Sequence, residues 1–243
     1  MLEVISPGFG LVKPLVRENQ NITNTSVIFD FVPCQHHVVV KDLCAECGAN
    51  LRKHGGLSGE RSHSASASIP MVHSMPDLHV SESIANKIAQ NDEKSLIKMR
   101  KLVLLVDLDQ TVIHTTTERN AFKFKNVFRY RLANSPIVYH TRLRPHLKNF
   151  LERISKLYEL HICTFGNRLY AHQLAAIIDP QKKYFAQRIL SRDECFNPVT
   201  KAANLKALFP RGTKLVCIID DRGDVWNWPE NLILVQPYKY GSF

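Results

Sequence analysis

Long hydrophobic runs are missing from this sequence. No apolar stretch approaches the ~18 residues a membrane-spanning helix needs, which excludes a helical crossing of the bilayer. The first ten residues hold no basic segment followed by an apolar core, so no secretory signal is read there and the chain is expected to act inside the cell. No run of five basic residues, no finger, arm or RNA-binding motif and no internal repeat occurs, so direct nucleic-acid binding is not expected despite a net charge of +10. Glycine (10) and proline (12) are too few among 243 residues for a collagen-like or low-complexity chain. Cysteine is also sparse. Six cysteines in an intracellular chain of this size read as free thiols or metal ligands rather than a disulfide framework.

The positive charge is unevenly spread. Residues 1–97 hold 8 Lys/Arg against 10 Asp/Glu, while residues 98–243 hold 24 against 12. The basic second part draws in polyanions or phosphorylated ligands without saying which. Composition divides the chain into three. Residues 1–52 alternate short apolar runs (Val27–Val32, Val38–Val40) with Pro, Gly and Asn, which predicts a small β-rich region ending in a Cys/His cluster. Residues 53–98 are small and polar (His54-Gly-Gly, Arg61-Ser-His-Ser-Ala-Ser-Ala-Ser) and read as a linker with a short helix over Ser81–Met99, capped by Ser81 or Ser83.

Residues 99–243 carry an α/β pattern. Leu102–Val106, Leu160–Thr164 and Leu215–Ile219 are continuous apolar runs too short for helices, with Leu232–Val235 after them, and they read as buried strands. Helical periods lie between: Leu147, Phe150, Leu151, Ile154 and Leu157 after Pro145 in the first turn; Tyr170, Leu174, Ile177 and Ile178; then Leu205, Leu208 and Phe209. The alternation predicts a parallel sheet wrapped by helices, with ligands at the carboxyl ends of the strands, where Asp107, Thr164 and Asp220 fall. Phe122–Leu132 alternates aromatic or apolar with basic residues, which predicts an antiparallel hairpin insert returning over Ile137–Leu143. Its Lys123, Lys125, Arg129 and Arg131 form either a solvated face or a substrate contact.

Val106-Asp-Leu-Asp-Gln-Thr-Val112 sets two carboxylates two residues apart where a buried strand opens into a loop. Burying anions there is costly unless cations or hydrogen bonds compensate. The other strand ends offer partners: the Thr164 hydroxyl, the Lys201 ammonium at the start of a helix, and the Asp220-Asp221 pair. Several acids with no matching cysteines suit a hard, oxygen-liganded ion, and magnesium fits best.

This order, D-x-D-x-T, then Thr, Lys and Asp-Asp, resembles the haloacid dehalogenase-like phosphohydrolases. Within them it is similar to the TFIIF-associating type of RNA polymerase II C-terminal-domain phosphatase. The similar strings are Val106–Thr111, Thr141-Arg-Leu-Arg-Pro145, Leu157–His161, Thr164–Ala171, Ile189–Cys195, and Ile218-Ile-Asp-Asp-Arg222 with Asp224-Val-Trp226. Val72-His-Ser-Met-Pro76 and the Cys/His cluster also look like that family's N-terminal region. The resemblance implies a serine/threonine protein phosphatase in which Asp107 is the nucleophile and Asp109 the acid, then base. It further implies that Thr111 and Thr164 orient oxygens, that Lys201 offsets charge, and that magnesium sits among Asp107, the Asp109 carbonyl, Asp220 and Asp221. Arg144 and Asp179 are similar to residues the family needs for substrate; the bland readings are an ion pair for Arg144 and a helix stop before proline for Asp179. The implied partners are the phosphorylated C-terminal tail of RNA polymerase II and TFIIF, in the nucleus, with no membrane. Family chains run past Pro237-Tyr-Lys-Tyr240 into a further loop and a BRCT domain, so the resemblance implies a C-terminally truncated product or fragment.

Cys34-x-His36 and Cys44-x-x-Cys47 offer four N/S ligands within fourteen residues. Such pairs suit a structural zinc, with reduced thiols as the alternative and His37 as a substitute ligand. Cys163 and Arg168 sit at a strand-to-loop junction like the phosphate loop of cysteine-dependent phosphatases, but one residue too close, so Cys163 reads as a buried small hydrophobe. Two rival functions stay open: a phosphopeptide-binding pseudoenzyme and a magnesium phosphatase of small phosphometabolites.

Overall fold

The computed structural model describes residues 8–17, 20–23, 25–52, 66–71, 77–118, 123–133, 135–194 and 199–240. Contacts divide the chain into two units, residues 1–71 with 77–85, and residues 72–76 with 86–243. Among the described residues no helix is long and apolar enough to cross a membrane.

In the first unit, β1 (Gly10–Pro14) pairs antiparallel with β2 (Phe29–Pro33) as a two-stranded ribbon. The strands β3 (Val38–Val40), β4 (Leu43–Cys44), β5 (Ala67–Pro70) and β6 (Leu78–Ser81) form an antiparallel sheet in the order β4-β3-β6-β5. Its core is small: Val39, Cys44, Ala49, Leu51 and Ala67. The segment read as linker therefore supplies two strands. Ala67 and Val80 are buried and the backbone is paired, but four residues in each strand are too few to establish a period-two pattern. Residues 53–65 and Val72–Pro76 lie outside the described residues. The anticipated helix is present as α1 (Glu82–Met99), directly after Ser81.

The second unit is built on β7 (Leu102–Val106), the middle strand of a five-stranded parallel sheet. Next come β8 (Ile113–Thr116), β9 (Val127–Arg131), β10 (Val138–Leu143), α2 (Leu147–Ile154), β11 (Tyr158–Cys163) and α3 (Arg168–Ile178). The chain ends in β12 (Ile189–Leu190), α4 (Ala202–Leu208), β13 (Val216–Asp220) and β14 (Leu232–Leu234). The parallel sheet has the order β12-β11-β7-β13-β14. Alternate residues of β7 feed two cores on its two faces. Leu104 and Val106 join Leu151, Leu160, Ile162 and Leu174, while Val103 and Leu105 join Val216, Ile218 and Trp226.

Two expectations are corrected here. The insert is a three-stranded antiparallel sheet, β8-β10-β9, because β8 adds to the free edge of the anticipated hairpin; the β9 run begins only at Val127, after Asn126 turns the chain with φ +60°. Pro145 lies outside α2, which starts after His146 in a left-handed conformation (φ +66°), and Leu157 falls beyond the helix, 59% exposed.

Candidate active site

Three parallel strands end side by side, and their next residues make the site. Asp107 follows β7 and keeps the ladder going, its N–H donating to Ile219 O at 3.1 Å. The chain then turns tightly: the N–H groups of Thr111, Val112 and Ile113 all donate to Leu108 O (3.2, 3.0 and 3.0 Å), with Gln110 left-handed at φ +63°. That turn brings Thr111 to the end of β13, where its hydroxyl donates to Asp221 Oδ1 (3.1 Å) and accepts from Asp221 N–H (2.9 Å).

Lys201, at the start of α4 and 2% exposed, places Nζ 2.6 Å from Asp107 Oδ1 and 2.7 Å from Asp220 Oδ2. Trp226 Nε1 donates to the same Asp220 oxygen at 2.7 Å. The rings of Phe165 and Trp226 lie 5.2 and 5.5 Å from the ammonium, so it is enclosed by π faces as well as carboxylates. Burial pushes the Asp107 carboxyl up to about 7, with the Asp220 charge adding and Lys201 opposing. Burial would depress the Lys201 ammonium, but the surrounding negative groups, Asp107 first among them, together with the hydrogen bond to Asp107 outweigh it and hold the group above the ordinary lysine range.

Ligand atoms of Asp107, Asp220 and Asp221 lie within 4.8 Å of one another. Three carboxylates, two of them buried, against one ammonium leave a negative excess, a donor set that fits a hard divalent cation. The Asp109 carboxylate is not in that group. It is half-buried, raised by burial, and accepts a 2.5 Å hydrogen bond from the Tyr170 hydroxyl. Tyr170 itself is positioned by α3, whose N-cap Asn167 accepts from Tyr170 N–H through Oδ1 (2.9 Å). Its ring packs 5.8 Å from Tyr139, which stacks on Tyr130 at 5.6 Å, so the insert sheet borders the Asp109 side of the site. Thr164, 1% exposed, accepts from Gly166 N–H at 3.1 Å. A β-carbon on Gly166 would collide with the Tyr170 ring.

The two residues anticipated at the substrate behave differently. Arg144 donates through one terminal nitrogen to Thr111 O (2.9 Å) and Gln236 O (3.1 Å), which fastens the loop after β7 and leaves its other terminal nitrogen without a hydrogen bond among the described residues. Asp179 lies away from the Lys201 bridge in the bonds it makes. Its buried carboxylate accepts from the N–H groups of Lys183, Tyr184 and Phe185 at 2.8, 2.7 and 2.9 Å, which holds the loop after α3. The cysteine route loses its parts: Cys163 is 1% exposed in the core, and Arg168 is paired with Glu194 at 2.5 Å. Cys195 lies outside the described residues.

Tyr170 and Trp226 were the residues sequence reasoning left without a role. Tyr170 has no local signal, since its contact with Asp109 spans 61 residues and exists only once α3 is packed; the signal for Trp226 is its place six residues after Asp220.

The family described as NLI interacting factor-like phosphatase matches residues 102–242. The RNA polymerase II C-terminal domain phosphatases of Homo sapiens and Caenorhabditis elegans are 48% and 47% identical to this chain over 95% and 98% of it. The chain spans only 24% and 35% of the length of those relatives. A solved structure of the fission yeast RNA polymerase II CTD phosphatase Fcp1 bound to beryllium fluoride is similar with a TM-score of 0.59 and 40% identity, covering 63% of this chain and 46% of that one.

Proposed function

This chain belongs to the NLI interacting factor-like phosphatases, and from that membership we propose that it is an aspartate-based phosphatase of phosphoserine and phosphothreonine in the C-terminal repeats of RNA polymerase II. The observation that carries the reading is the Lys201 bridge between Asp107 and Asp220, with Asp109 held separately by Tyr170 two residues from the nucleophile. The names of the relatives support the substrate, as does the basic charge of residues 98–243.

Asp107 attacks phosphorus, and the bond from phosphorus to the serine oxygen breaks as Asp109 gives that oxygen its proton. Water then attacks the aspartyl-phosphate, Asp109 takes the proton, and inorganic phosphate leaves with the Asp107 carboxylate restored. Lys201 balances the nucleophile, and Thr111 and Thr164 hold the loops that orient the phosphoryl oxygens. Arg144 offers its unbonded nitrogen to phosphate or peptide. Magnesium is the cation assigned to Asp107, Asp220 and Asp221, with the Asp109 carbonyl as a further ligand; when bound it supplies charge neutralisation at the phosphoryl group. The exposed Arg129 and Arg131 of the insert sheet suit an acidic, phosphorylated peptide. A nuclear location and contact with TFIIF belong to the same proposal.

The test is phosphate release from a phosphorylated heptad-repeat peptide compared with sugar phosphates. Turnover should require added magnesium, disappear in EDTA, favour the peptide, and fall at least about a thousandfold in Asp107→Asn. Equal rates on sugar phosphates would favour a small-molecule phosphatase, and binding without release would favour a pseudoenzyme.

A further inference from the structure

The first unit holds a second cluster that the phosphatase chemistry does not use. Cys34 and His36 lie just before β3, Cys44 ends β4, and Cys47 lies in the following turn, so two pairs of potential ligands flank the β3–β4 hairpin. Their donor atoms all lie within 4.8 Å of one another. Cys34 Sγ is 3.8 Å from Cys44 Sγ, and Cys47 Sγ is 3.4 Å from His36 Nδ1. A sulfur–sulfur gap of 3.8 Å is far beyond a disulfide bond of about 2.0 Å. A tetrahedron with zinc–sulfur bonds of about 2.3 Å and a zinc–nitrogen bond of about 2.0 Å has sulfur–sulfur edges of about 3.8 Å and sulfur–nitrogen edges of about 3.5 Å. The two measured edges match those values.

The backbone around the four donors is shaped for thiolates. His36 N–H donates to Cys34 Sγ and Glu46 N–H to Cys44 Sγ, each at 3.4 Å, so each pair turns a backbone donor toward its own first sulfur. The second pair closes with Gly48 N–H donating to Cys44 O (3.0 Å) at φ +73°, a conformation that favours glycine. The sequence left His36 and His37 as alternatives. His36 is buried at 7% with Nδ1 in the cluster, whereas His37 Nδ1 is 3.0 Å from Ser66 Oγ, a contact on another strand segment.

We propose that Cys34, His36, Cys44 and Cys47 bind one structural zinc ion that staples the β3–β4 hairpin of the first unit. Four protein donors close the coordination sphere, so no position remains for water or substrate, and the ion is structural rather than catalytic. Three thiols and one imidazole are a soft donor set that excludes magnesium and calcium. Zinc uptake by the metal-free chain deprotonates the three thiols. The Cys34 proton now shared with Glu46 Oε2 at 3.4 Å is among those released. The physical need is plain: a core of Val39, Cys44, Ala49, Leu51 and Ala67 is too small to hold four strands without an added constraint.

Elemental analysis of the full chain, purified without chelators, should find about one equivalent of zinc. Cys44→Ser and His36→Ala should lose it, while His37→Ala and Asp107→Asn retain it. Because a ligand variant can fail to fold, the wild-type chain supplies an independent readout. Alkylation mapped by mass spectrometry should spare Cys34, Cys44 and Cys47 until a zinc chelator is added. Zinc absent from the chain and not taken up on titration, with those three thiols equally alkylated with and without chelator, would overturn the proposal. So would zinc retained after all three cysteines are replaced.

Discussion

The two clusters of acid or thiol ligands differ in how they are made. The carboxylate site joins Asp107 after β7 and Asp220 at the end of β13 to Lys201 at the start of α4, on a parallel sheet with a large core on each face. The Cys/His cluster is drawn from fourteen consecutive residues around one hairpin, in a unit whose core cluster among the described residues is Val39, Cys44, Ala49, Leu51 and Ala67. Where the fold is strong it can tolerate a buried excess of negative charge, and that unsatisfied charge is available for chemistry. Where the fold is weak the ligands themselves supply the constraint, and a saturated ion has no chemistry to spare. Hardness follows the same division, with oxygen donors in one place and sulfur with nitrogen in the other.

The largest effect that sharpens this contrast comes from Lys201. Lys201→Met removes the only ammonium bonded to Asp107 and Asp220 among the described residues and leaves both carboxylates uncompensated. The change should destabilise the chain by about 3–5 kcal/mol in urea unfolding and abolish turnover. Magnesium should restore part of the stability and none of the zinc content should change. Wild-type stability in that variant would mean the carboxylate site is not under electrostatic load.

A smaller effect is expected from Tyr170→Phe, which deletes the hydrogen bond to Asp109 without disturbing Asp107. Loss of a hydrogen bond to a charged group should lower kcat by about 10- to 100-fold on a phosphoserine peptide, whose leaving oxygen needs a proton. On an aryl phosphate, which leaves readily, the loss should be clearly less. Equal losses on both substrates would make Tyr170 a packing residue.

The smallest effect tests the sheet rather than the site. His161 is buried and held below its ordinary value of 6.5 by that burial, while its hydrogen bond holds Glu159 below 4.5. Both folded values are depressed, so the unfolded chain takes up protons first and stability falls as pH drops from about 6.5. His161→Gln should flatten that slope by less than about 1 kcal/mol between about pH 6.5 and about pH 5. An unchanged slope in thermal unfolding would remove His161 from the acid response.

The parallel sheet was legible because β7 and β13 read as apolar runs that stop at polar residues, with the shorter apolar stretch of β11 interrupted only by His161 between Leu160 and Cys163. The positions of the acid pair and Asp220-Asp221 were legible for the same reason, since strand ends fall where the runs stop, whereas Lys201 opens α4. Strands β5 and β6 were not legible, because each has four residues, and Ala67-Ser-Ile-Pro70 and Leu78-His-Val-Ser81 are too short to establish a period inside a small, polar segment. Strand β8 was hidden behind the motif turn that precedes it. The three N–H groups that Asp179 caps were not legible, because a carboxylate before proline looks the same whether it faces a ligand or caps a loop. The Tyr170 contact with Asp109 depends on packing between segments 61 residues apart, which no local pattern records, while Trp226 reaches back only six residues to Asp220.

The central proposal, that Asp107 is the nucleophile of a phosphatase reaction, is tested most directly by trapping the phosphorylated chain. An aryl phosphate is mixed with the protein and magnesium, the reaction is quenched in acid during turnover, and the modified residue is located by mass spectrometry. Phosphate on Asp107 that is released by hydroxylamine, and absent from Asp107→Asn, is the expected result. Phosphate carried on any other residue, or turnover by Asp107→Asn at the wild-type rate, would contradict it.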